Sequence, residues 1–426
     1  MATPVAPITF DETGTWRWYA RTDSIRGTTE ALSRLWGRVA QEAVGGEAVG
    51  GEALGGETAS AIARGDPRLA GAMRSDEDGV RVRTRTSVLT LVVVAPRPEV
   101  VERAMAGVAT LAARHPSRAV ILSPSDPDGP ADFDARVYAS CQLPERGRSE
   151  ICTEEILIRL GGELAQHLSS TVAPLLIHDL PVVLWWPDDV PFGRADFTEL
   201  ADECDRLFVD SGHFRGDGLQ RLLGLADAVS GGLVVHDVSW MRLMLWRELL
   251  ASCFDHPLLI RELRHLQSIR VDVARPGADV RLSRAVLFVG WLMSRLRLSV
   301  TDPLRRGPGD TWSATLRSGR RDVAVTIRPV EVEFSGAARA AGSVVRTELA
   351  TARPDTRTLV NVTRQADHLL ATADWNGASV MRRASKLERF DEVPYLAESL
   401  DRTSHERLFS QALEKAVALI GDGSRP

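Results

Sequence analysis

Long apolar runs are missing from the sequence. The longest charge-free apolar runs, residues 168–178 and 285–294, are well short of the roughly 20 residues that a membrane-spanning helix needs. The N-terminal residues 1–7 also lack the basic and apolar regions of a secretory signal peptide. We therefore expect a cytoplasmic protein that has no membrane partner.

Neither sign of charge is in large excess. The 52 basic and 57 acidic residues give a formal net charge of −5 at pH 7, so the basic surplus of nucleic-acid-binding proteins is absent. We expect no nucleic-acid partner. The hydrophobic fraction of 44% and the charged fraction of 26% are those of an ordinary globular protein, and 426 residues suffice for about two or three domains.

Cysteine is scarce and widely spaced. The 4 cysteines form no Cys-x-x-Cys pair and have no histidine pattern nearby, so we expect neither structural zinc nor a disulfide framework. Cys141 and Cys152 fall on two predicted strands that could be neighbours, which makes them a possible redox pair. The sequence favours buried, inert thiols over this pair, because free cysteine is among the most buried residue types.

Familiar catalytic motifs are absent as well. The sequence has no P-loop, no Gly-x-Gly-x-x-Gly after the first strand, no Gly-x-Ser-x-Gly and no His-Glu-x-x-His, so we expect no cofactor. Glu154 and Glu155 are adjacent on a predicted strand and point to opposite faces, which excludes a carboxylate pair. Asp188 and Asp189 follow the end of a strand, where an acid–base pair could lie, but they also fit a solvated turn.

The most informative stretch that is present covers residues 149–187. Alternating apolar residues over 156–160 predict a strand, helical spacing over 164–176 predicts a helix, and the apolar run 180–186 predicts a second strand. The stretch is therefore typical of a βαβ unit. Its second strand is almost continuously apolar, as in parallel sheets that are covered on both faces.

Similar patterns surround this unit and define the predicted domains. Strands are predicted at 88–95, 118–123, 135–143, 206–210 and 268–273, and helices at 98–114, 218–228 and 282–296. After residue 301, short alternating segments separated by turn signals predict an antiparallel sheet and a closing helix. We thus predict an α/β fold class, with an N-terminal α/β domain of largely parallel sheet over 81–300 and an α+β C-terminal domain over 301–426.

The N-terminal residues 1–80 are predicted to be a peripheral segment. Helical spacing covers residues 28–43, and Glu42-Ala-Val-Gly-Gly then repeats from Glu47 and, with one change, from Glu52. Glycine pairs at this frequency disfavour a helix, so we interpret the repeat as a Gly-rich insertion.

In the closing helix, over 404–420, the spacing predicts that Leu408 faces inward.

Tryptophan is concentrated in two places. Trp185 and Trp186 end the strand of the central unit and point to opposite faces, so at least one should cover a helix or lie at a cleft. Residues 237–254 predict one helix capped by Asp237 or Ser239. Its apolar surface is too broad for a helix packed on one side only.

Three stretches in this order resemble one known family. They are Ile-Cys-Thr-Glu-Glu-Ile at 151–156, Pro-Leu-Leu-Ile-His-Asp-Leu-Pro-Val-Val-Leu-Trp-Trp at 174–186, and Asp-Val-Ser-Trp-Met-Arg followed by Trp-Arg-Glu-Leu-Leu over 237–250. They resemble the glucose-6-phosphate dehydrogenase assembly protein (OpcA) family of cyanobacteria and actinobacteria, over roughly residue 81 to the C-terminus. The resemblance implies a protein that is not an enzyme, binds glucose-6-phosphate dehydrogenase, favours its active oligomer and raises its activity in the oxidative pentose phosphate pathway.

Surplus aromatic and arginine residues, which often anchor interfaces, supply candidates for that contact. The candidate partner-binding residues are Arg148, Trp185, Trp186, Trp240, Arg242, Trp246, Arg247 and Glu248. They either contribute to the contact, support the surface that makes it, or pack in the core of an adaptor whose interface lies elsewhere. Cyanobacterial relatives are associated with thioredoxin control through cysteines, but no cysteine here precedes Cys141 or follows Cys253, so support for thioredoxin as a partner is weak.

Two other functions stay open from the sequence. The first is an enzyme or binding protein for a phosphorylated sugar, which would use Arg148, His178, Asp188 and Asp189. It would also need an anion cradle, for which Gly161-Gly162 is the candidate. The second is a scaffold for several enzymes of the pathway.

Overall fold

The computed structural model describes residues 6–10, 15–44, 83–85, 87–112, 114–142, 150–332, 340–387, 392–402 and 406–421. The chain divides into two compact units. The first comprises residues 1–187 and 194–207, and the second comprises residues 188–193 and 208–426. The predicted boundary near residue 300 therefore differs from this division.

The first unit is built on one sheet with helices. Its strands are β1 (Ala6–Phe10), β2 (Thr15–Thr22), β3 (Arg83–Arg85), β4 (Leu89–Val94), β5 (Ser117–Pro124), β6 (Asp132–Gln142), β7 (Glu150–Gly161) and β8 (Val182–Trp186). Its helices are α1 (Ile25–Val44), α2 (Pro98–Leu111), α3 (Leu168–Val172) and α4 (Ala195–Asp202), with 3-10 turns at Gly162–Gln166 and Ala173–Leu175.

The strand order in this unit is β1-β2-β6-β7-β5-β4-β8, and β3 also pairs with β7. β7, β5, β4 and β8 are parallel, with Val92 opposite both Val120 and Leu184, whereas β1, β2 and β6 extend the sheet antiparallel. All residues of β4 are buried, as parallel strands covered on both faces should be. The predicted α/β domain with a largely parallel sheet is confirmed.

The central unit has less helix than its spacing predicts. Between β7 and β8 the chain forms only the five-residue α3 between two 3-10 turns. Pro174 lies in the second of these turns, where it has no amide hydrogen and its ring obstructs a continuing α-helix. This segment nevertheless connects two parallel strands, and β5 and β4 lie between β7 and β8 in the sheet.

The N-terminal segment differs from the peripheral position that we expected. β2 pairs with β6 over residues 15–22, so the segment extends the main sheet. α1 buries Trp36, whose indole nitrogen donates a hydrogen bond to the buried Glu154, and Arg118 Nε donates to the other oxygen of Glu154 at 2.5 Å. Glu154 is thus an ion-pair partner inside the unit. The Gly-rich repeat after Val44 lies outside the described residues.

The second unit contains the remaining elements. Its strands are β9 (Arg206–Val209, begun at the end of the first unit), β10 (Val234–Asp237), β11 (Leu266–Ala274), β12 (Ser299–Arg306), β13 (Trp312–Ser318), β14 (Arg321–Val330), β15 (Val344–Arg353), β16 (Thr356–Arg364), β17 (His368–Trp375) and β18 (Ala378–Lys386). Its helices are α5 (Leu219–Ser230), α6 (Val238–Arg242), α7 (Met244–Cys253), α8 (Pro257–Glu262), α9 (Ser283–Leu296), α10 (Glu392–Leu400) and α11 (Arg407–Ile420), with 3-10 turns at Ser211–His213, Leu263–His265 and Pro308–Asp310.

A second sheet runs in the order β12-β13-β14-β11-β15-β16-β17-β18. All its neighbours are antiparallel except β11 and β14, which are parallel. This confirms the predicted α+β domain with an antiparallel sheet. β11 differs from the prediction, because we expected it in the N-terminal domain. The alternation of its side chains is the same in either sheet, so the sequence alone did not indicate its partner strands.

α9 and α11 pack closely in this unit. The buried residues of α9 include 283–293 without a break, so this helix is surrounded by protein. Gly290 lets the two helices approach, because a Cβ there would collide with the carbonyl oxygen of Ala412 and lie 2.9 Å from the amide nitrogen of Ala416. Among the described residues, none of the helices combines the length and hydropathy that crossing a membrane requires.

Candidate functional site

Asp237 ends β10 and caps α6. Its carboxylate accepts a hydrogen bond from the amide of Ser239 at 3.1 Å, which confirms the predicted cap. It also accepts from the amide and the hydroxyl of Ser211, at 2.9 and 2.7 Å. Burial, and then the nearby charge of Asp210, raise the pKa of Asp237 to about 6.

A second buried carboxylate, Asp210, lies beside the first. Its oxygens accept from the Gly212 amide at 2.9 Å and from the hydroxyl of Ser239, and they form ion pairs with Arg242 and, at 3.6 Å, Arg284. Burial alone would raise the pKa of Asp210, but the two guanidinium groups outweigh burial and hold the pKa well below its usual range. The cluster therefore carries compensated charge and fixes the start of α6.

The predicted helix over 237–254 is in fact two helices. Leu243 ends α6 and begins α7, with a ψ of −7° where a regular α-helix has about −42°. Trp240 and Trp246 are buried on either side of this break. The indole nitrogen of Trp240 donates to Glu406 at 2.9 Å, and its ring lies 5.7 Å from that of Phe409.

Arg247 packs flat against the same indole. Its guanidinium carbon lies 3.4 Å from the centre of the Trp240 ring, a cation–π contact, and its Nη1 lies 3.9 Å from a carboxylate oxygen of Glu406. Burial lowers the pKa of Arg247 to about 10, against the opposing effect of Glu406 and Glu248. Arg247 is thus held in place by an aromatic ring and a carboxylate within the second unit.

Arg247 and Glu406 line a pocket of about 350 Å³, which we call the α7–α11 groove. The groove is lined by Met241, Met244, Arg247, Glu248, Ala251, Trp291, Glu398, Arg402, Glu406 and Leu408. Met244 and Leu408 are 44% and 40% exposed and both line the groove, which gives it an exposed apolar surface. Leu408 corrects our prediction that it faces inward, because α11 instead buries Phe409, Ala412 and the residues one turn further along.

Charge in the groove is mostly paired. Arg402 forms ion pairs with Glu398 and, at 3.8 Å, with Glu406, and Arg247 also faces Glu406. Glu248 is exposed, and within the described part of the chain no hydrogen bond or ion pair of its carboxylate is found. The groove therefore combines apolar side chains with one open negative charge.

The structure separates the eight candidate partner-binding residues into groups. Arg247 and Glu248 line the groove, while Trp240, Arg242 and Trp246 lie behind it in the same unit. Trp185 and Trp186 are buried in the first unit, where Trp186 makes an edge contact with Phe197 at 5.7 Å. Arg148 lies outside the described residues. All four tryptophans are thus buried.

The residues suggested for a sugar phosphate have other partners. The carboxylate of Asp189 accepts two hydrogen bonds from Arg221, at 2.9 and 3.0 Å, and one from the Arg215 amide at 2.9 Å. The Gly162 amide donates to the Asp126 carbonyl at 3.0 Å, so it is not directed at a ligand. His178 is exposed in a turn. Asp188, which precedes Asp189 in the chain, is partly buried.

Cys141 and Cys152 form a disulfide in the first unit. They are opposite each other on the antiparallel strands β6 and β7, with 4.0 Å between their Cα atoms, and both are fully buried. The approach that the strand positions allowed is confirmed. The two residues are therefore a bonded pair and not separate buried thiols. Cys204 and Cys253 are free thiols whose pKa is raised, chiefly by burial, to about 12 and about 11.

Several residues of the site were missed from the sequence. Asp210, Arg284 and Glu406 are separated from their partners by long stretches of chain, such as the 166 residues between Trp240 and Glu406. No local spacing indicates such a pair. Leu408 could have been found by testing the phase of α11, because Phe409 fits the inward stripe better.

Comparison with known families gives matches over most of the chain. Residues 108–224 match the family model described as glucose-6-phosphate dehydrogenase subunit N-terminal domain (OpcA_G6PD_assem), and residues 233–413 match the corresponding C-terminal domain. The OxPP cycle protein OpcA of Nostoc punctiforme is 25% identical over 312 residues, 71% of this chain and 65% of that protein. The protein of the same name from Synechocystis sp. is 28% identical over 189 residues, 44% of this chain and 38% of that protein.

The chain thus spans less than two thirds of the length of these relatives. Among solved structures, the transcriptional regulator Gal80p from Kluyveromyces lactis is similar with a TM-score of 0.41 and 8% identity, over 78% of this chain and 87% of that chain. Similarity at this level carries no functional information. The two family models and the named relatives agree with the resemblance seen in the sequence, and the chain belongs to the OpcA family.

Proposed function

We propose that this chain is a non-enzymatic assembly factor and allosteric activator that binds glucose-6-phosphate dehydrogenase. It acts in the oxidative pentose phosphate pathway and, with its partner, in the cytoplasm. The observation that carries the proposal is the match of both OpcA domain models, whose descriptions name that dehydrogenase, over residues 108–224 and 233–413.

The mechanism is a shift in the population of the enzyme's states. A protein that binds the active conformation or oligomer of the dehydrogenase more tightly than the inactive one raises activity through that difference in affinity alone. A tenfold difference corresponds to about 1.4 kcal/mol, well within what one interface supplies. The activator then needs no cofactor and no catalytic group of its own.

Contacts within the second unit support a binding role. The buried carboxylates of Asp210 and Asp237 and the stacked Arg247 hold α6 and α7 in fixed positions. Exposed Met244 and Glu248 are presented on the outer side of this rigid base. Large exposed apolar side chains next to charge are common at protein interfaces.

The first test is kinetic. Initial rates of purified glucose-6-phosphate dehydrogenase from the same organism are measured against glucose 6-phosphate, with and without stoichiometric amounts of this protein. We expect a saturable fall in KM or rise in kcat, and no turnover by this protein alone. Sizing chromatography of the mixture should show co-elution at a fixed ratio, which also separates a dedicated activator from a scaffold for several enzymes.

Two results would count against the proposal. Unchanged rates together with separate elution would show that the two proteins do not associate. Turnover of glucose 6-phosphate by this protein alone would show that it is an enzyme.

A further inference from the structure

We propose that the α7–α11 groove is the docking site for an amphipathic segment of the dehydrogenase, in which a large apolar side chain lies next to a lysine or arginine. This inference rests on the proposed function and adds the surface and the chemistry of the contact. It concerns residues of the second unit only.

The apolar part of the groove fits one or two large side chains. Met241, Met244, Trp291 and Leu408 line it, and Met244 and Leu408 remain 44% and 40% exposed. Methionine has a flexible, polarisable side chain that adapts to different apolar partners. The groove has a volume of about 350 Å³, which leaves room for side chains of a protein segment.

The charges determine the sign of the partner. Glu398 and Glu406 already face Arg402 and Arg247, so these four side chains largely compensate one another. Glu248 adds a negative charge with no ion pair among the residues that the structure describes. A basic side chain on the partner complements Glu248, whereas an acidic one would be repelled by it.

The base of the groove is preformed. Trp240 stacks on Arg247 and donates to Glu406, which connects α6, α7 and the residue preceding α11. Because these contacts form within the chain itself, binding needs little rearrangement of the groove. Preorganisation of this kind favours affinity, since fewer side chains lose freedom on association.

The test uses exposed positions, where substitution should leave folding intact. Met244→Asp, Leu408→Asp and Glu248→Lys are made in the full-length chain, and the Kd for the same organism's purified dehydrogenase is measured by calorimetry. Ile260→Asp on α8 is the matched control for the apolar variants, because Ile260 is 48% exposed and lies outside the groove. Glu199→Lys on α4 is the control for the charge reversal, because Glu199 is also exposed on a helix.

We expect each apolar variant to weaken binding by about tenfold or more, as truncation of an interface anchor does, and both controls to bind like wild type. Glu248→Lys should weaken binding several-fold at low salt and less at high salt, because the contact is at a solvent-exposed rim. If wild type binds the dehydrogenase and the groove variants bind it with the same Kd, the docking site is overturned and the proposed function still stands. Absence of wild-type binding would overturn both.

A cross-linking experiment identifies the occupant. The photoreactive residue p-benzoylphenylalanine replaces Met244, and the complex is irradiated and analysed by mass spectrometry. We expect a cross-link to a dehydrogenase peptide that contains an apolar residue beside lysine or arginine. A cross-link to an acidic dehydrogenase segment, or only to a second copy of this chain, would contradict the proposal.

Discussion

At the scale of single residues, the two buried carboxylates near α6 respond to pH in opposite directions. The pKa of Asp210 is lowered in the folded chain, so it contributes stability above its unfolded pKa that is lost as pH falls. The pKa of Asp237 is raised to about 6 from 3.8, chiefly by burial. The folded chain therefore holds this proton longer than the unfolded chain does, and stability falls as pH rises between these values.

This difference predicts the behaviour of Asp237→Asn. The shift of Asp237 from 3.8 to about 6 corresponds to about 3 kcal/mol, most of which wild type loses as pH rises from 4 to 7. The asparagine variant does not titrate and lacks this change. We expect the free energy of unfolding of wild type, relative to the variant, to fall by about that amount over this range.

The measurement is denaturant unfolding of both proteins at pH 4, 5, 6 and 7, with the midpoint followed by circular dichroism. Parallel stability curves for the two proteins would contradict a raised pKa at Asp237. A difference that grows in the opposite direction would show that the hydrogen bonds from Ser211 and Ser239 dominate over burial.

Residue-level features were predictable where they depend on local sequence. The cap at Asp237 follows from its position two residues before the amide it binds, a spacing that recurs at helix starts. Arg284 is 45 residues from Ser239, and only the tertiary fold brings them to 2.9 Å. Glu248 is a charged residue on a predicted helix, and the structure leaves it exposed.

At the scale of elements, glycine has opposite roles in two helices. Gly290 of α9 allows backbone contact with α11, as described above, whereas a Cβ added at Gly37 of α1 would meet no atom within 4 Å. We expect Gly290→Ala to lower the free energy of unfolding by about 1–3 kcal/mol through overpacking. Gly37→Ala is the matched control and should raise it by up to about 1 kcal/mol, since alanine favours helix.

Chemical denaturation of the two variants beside wild type tests this pair. Equal gains in stability for both would show that α9 and α11 are not in backbone contact. The sign of the difference is the informative quantity, because the substitution is chemically the same at both positions.

The elements that the sequence predicted best are those with one dominant pattern. β4, β5 and β8 are largely apolar, and their parallel pairing agrees with burial on both faces. The helix over 164–176 was overpredicted because its apolar spacing continues across Pro174. Short elements such as β10 and α8 were missed, since four to six residues hold too little periodicity.

At the scale of the whole molecule, the disulfide bears on the compartment in which the chain works. Disulfides are rare in cytosolic proteins, where thiols are kept reduced, yet Cys141 and Cys152 are bonded between adjacent strands.

The bond closes a short loop, with a separation of 11 residues, so its loss should lower stability by about 3 kcal/mol. In a unit of this size that is a fall in Tm of roughly 6–12 °C.

Thermal unfolding with and without dithiothreitol measures this effect. The double variant Cys141→Ser/Cys152→Ser is the control. Its Tm should equal that of the reduced wild type and should not change when dithiothreitol is added. Equal Tm values for oxidised and reduced wild type would show that the bond contributes nothing to stability. Mass spectrometry of the untreated protein would reveal whether the bond forms in the cell.

The contact at Gly290 has a thermodynamic consequence for recognition. Because α11 lies against the backbone of α9, its first turn, which carries Leu408, has little freedom left to lose. A segment that enters the groove is therefore ordered against a wall that is already ordered. Almost all the conformational entropy lost on association is therefore lost by the incoming segment. The rigidity of that segment, more than additional contact area, determines the affinity.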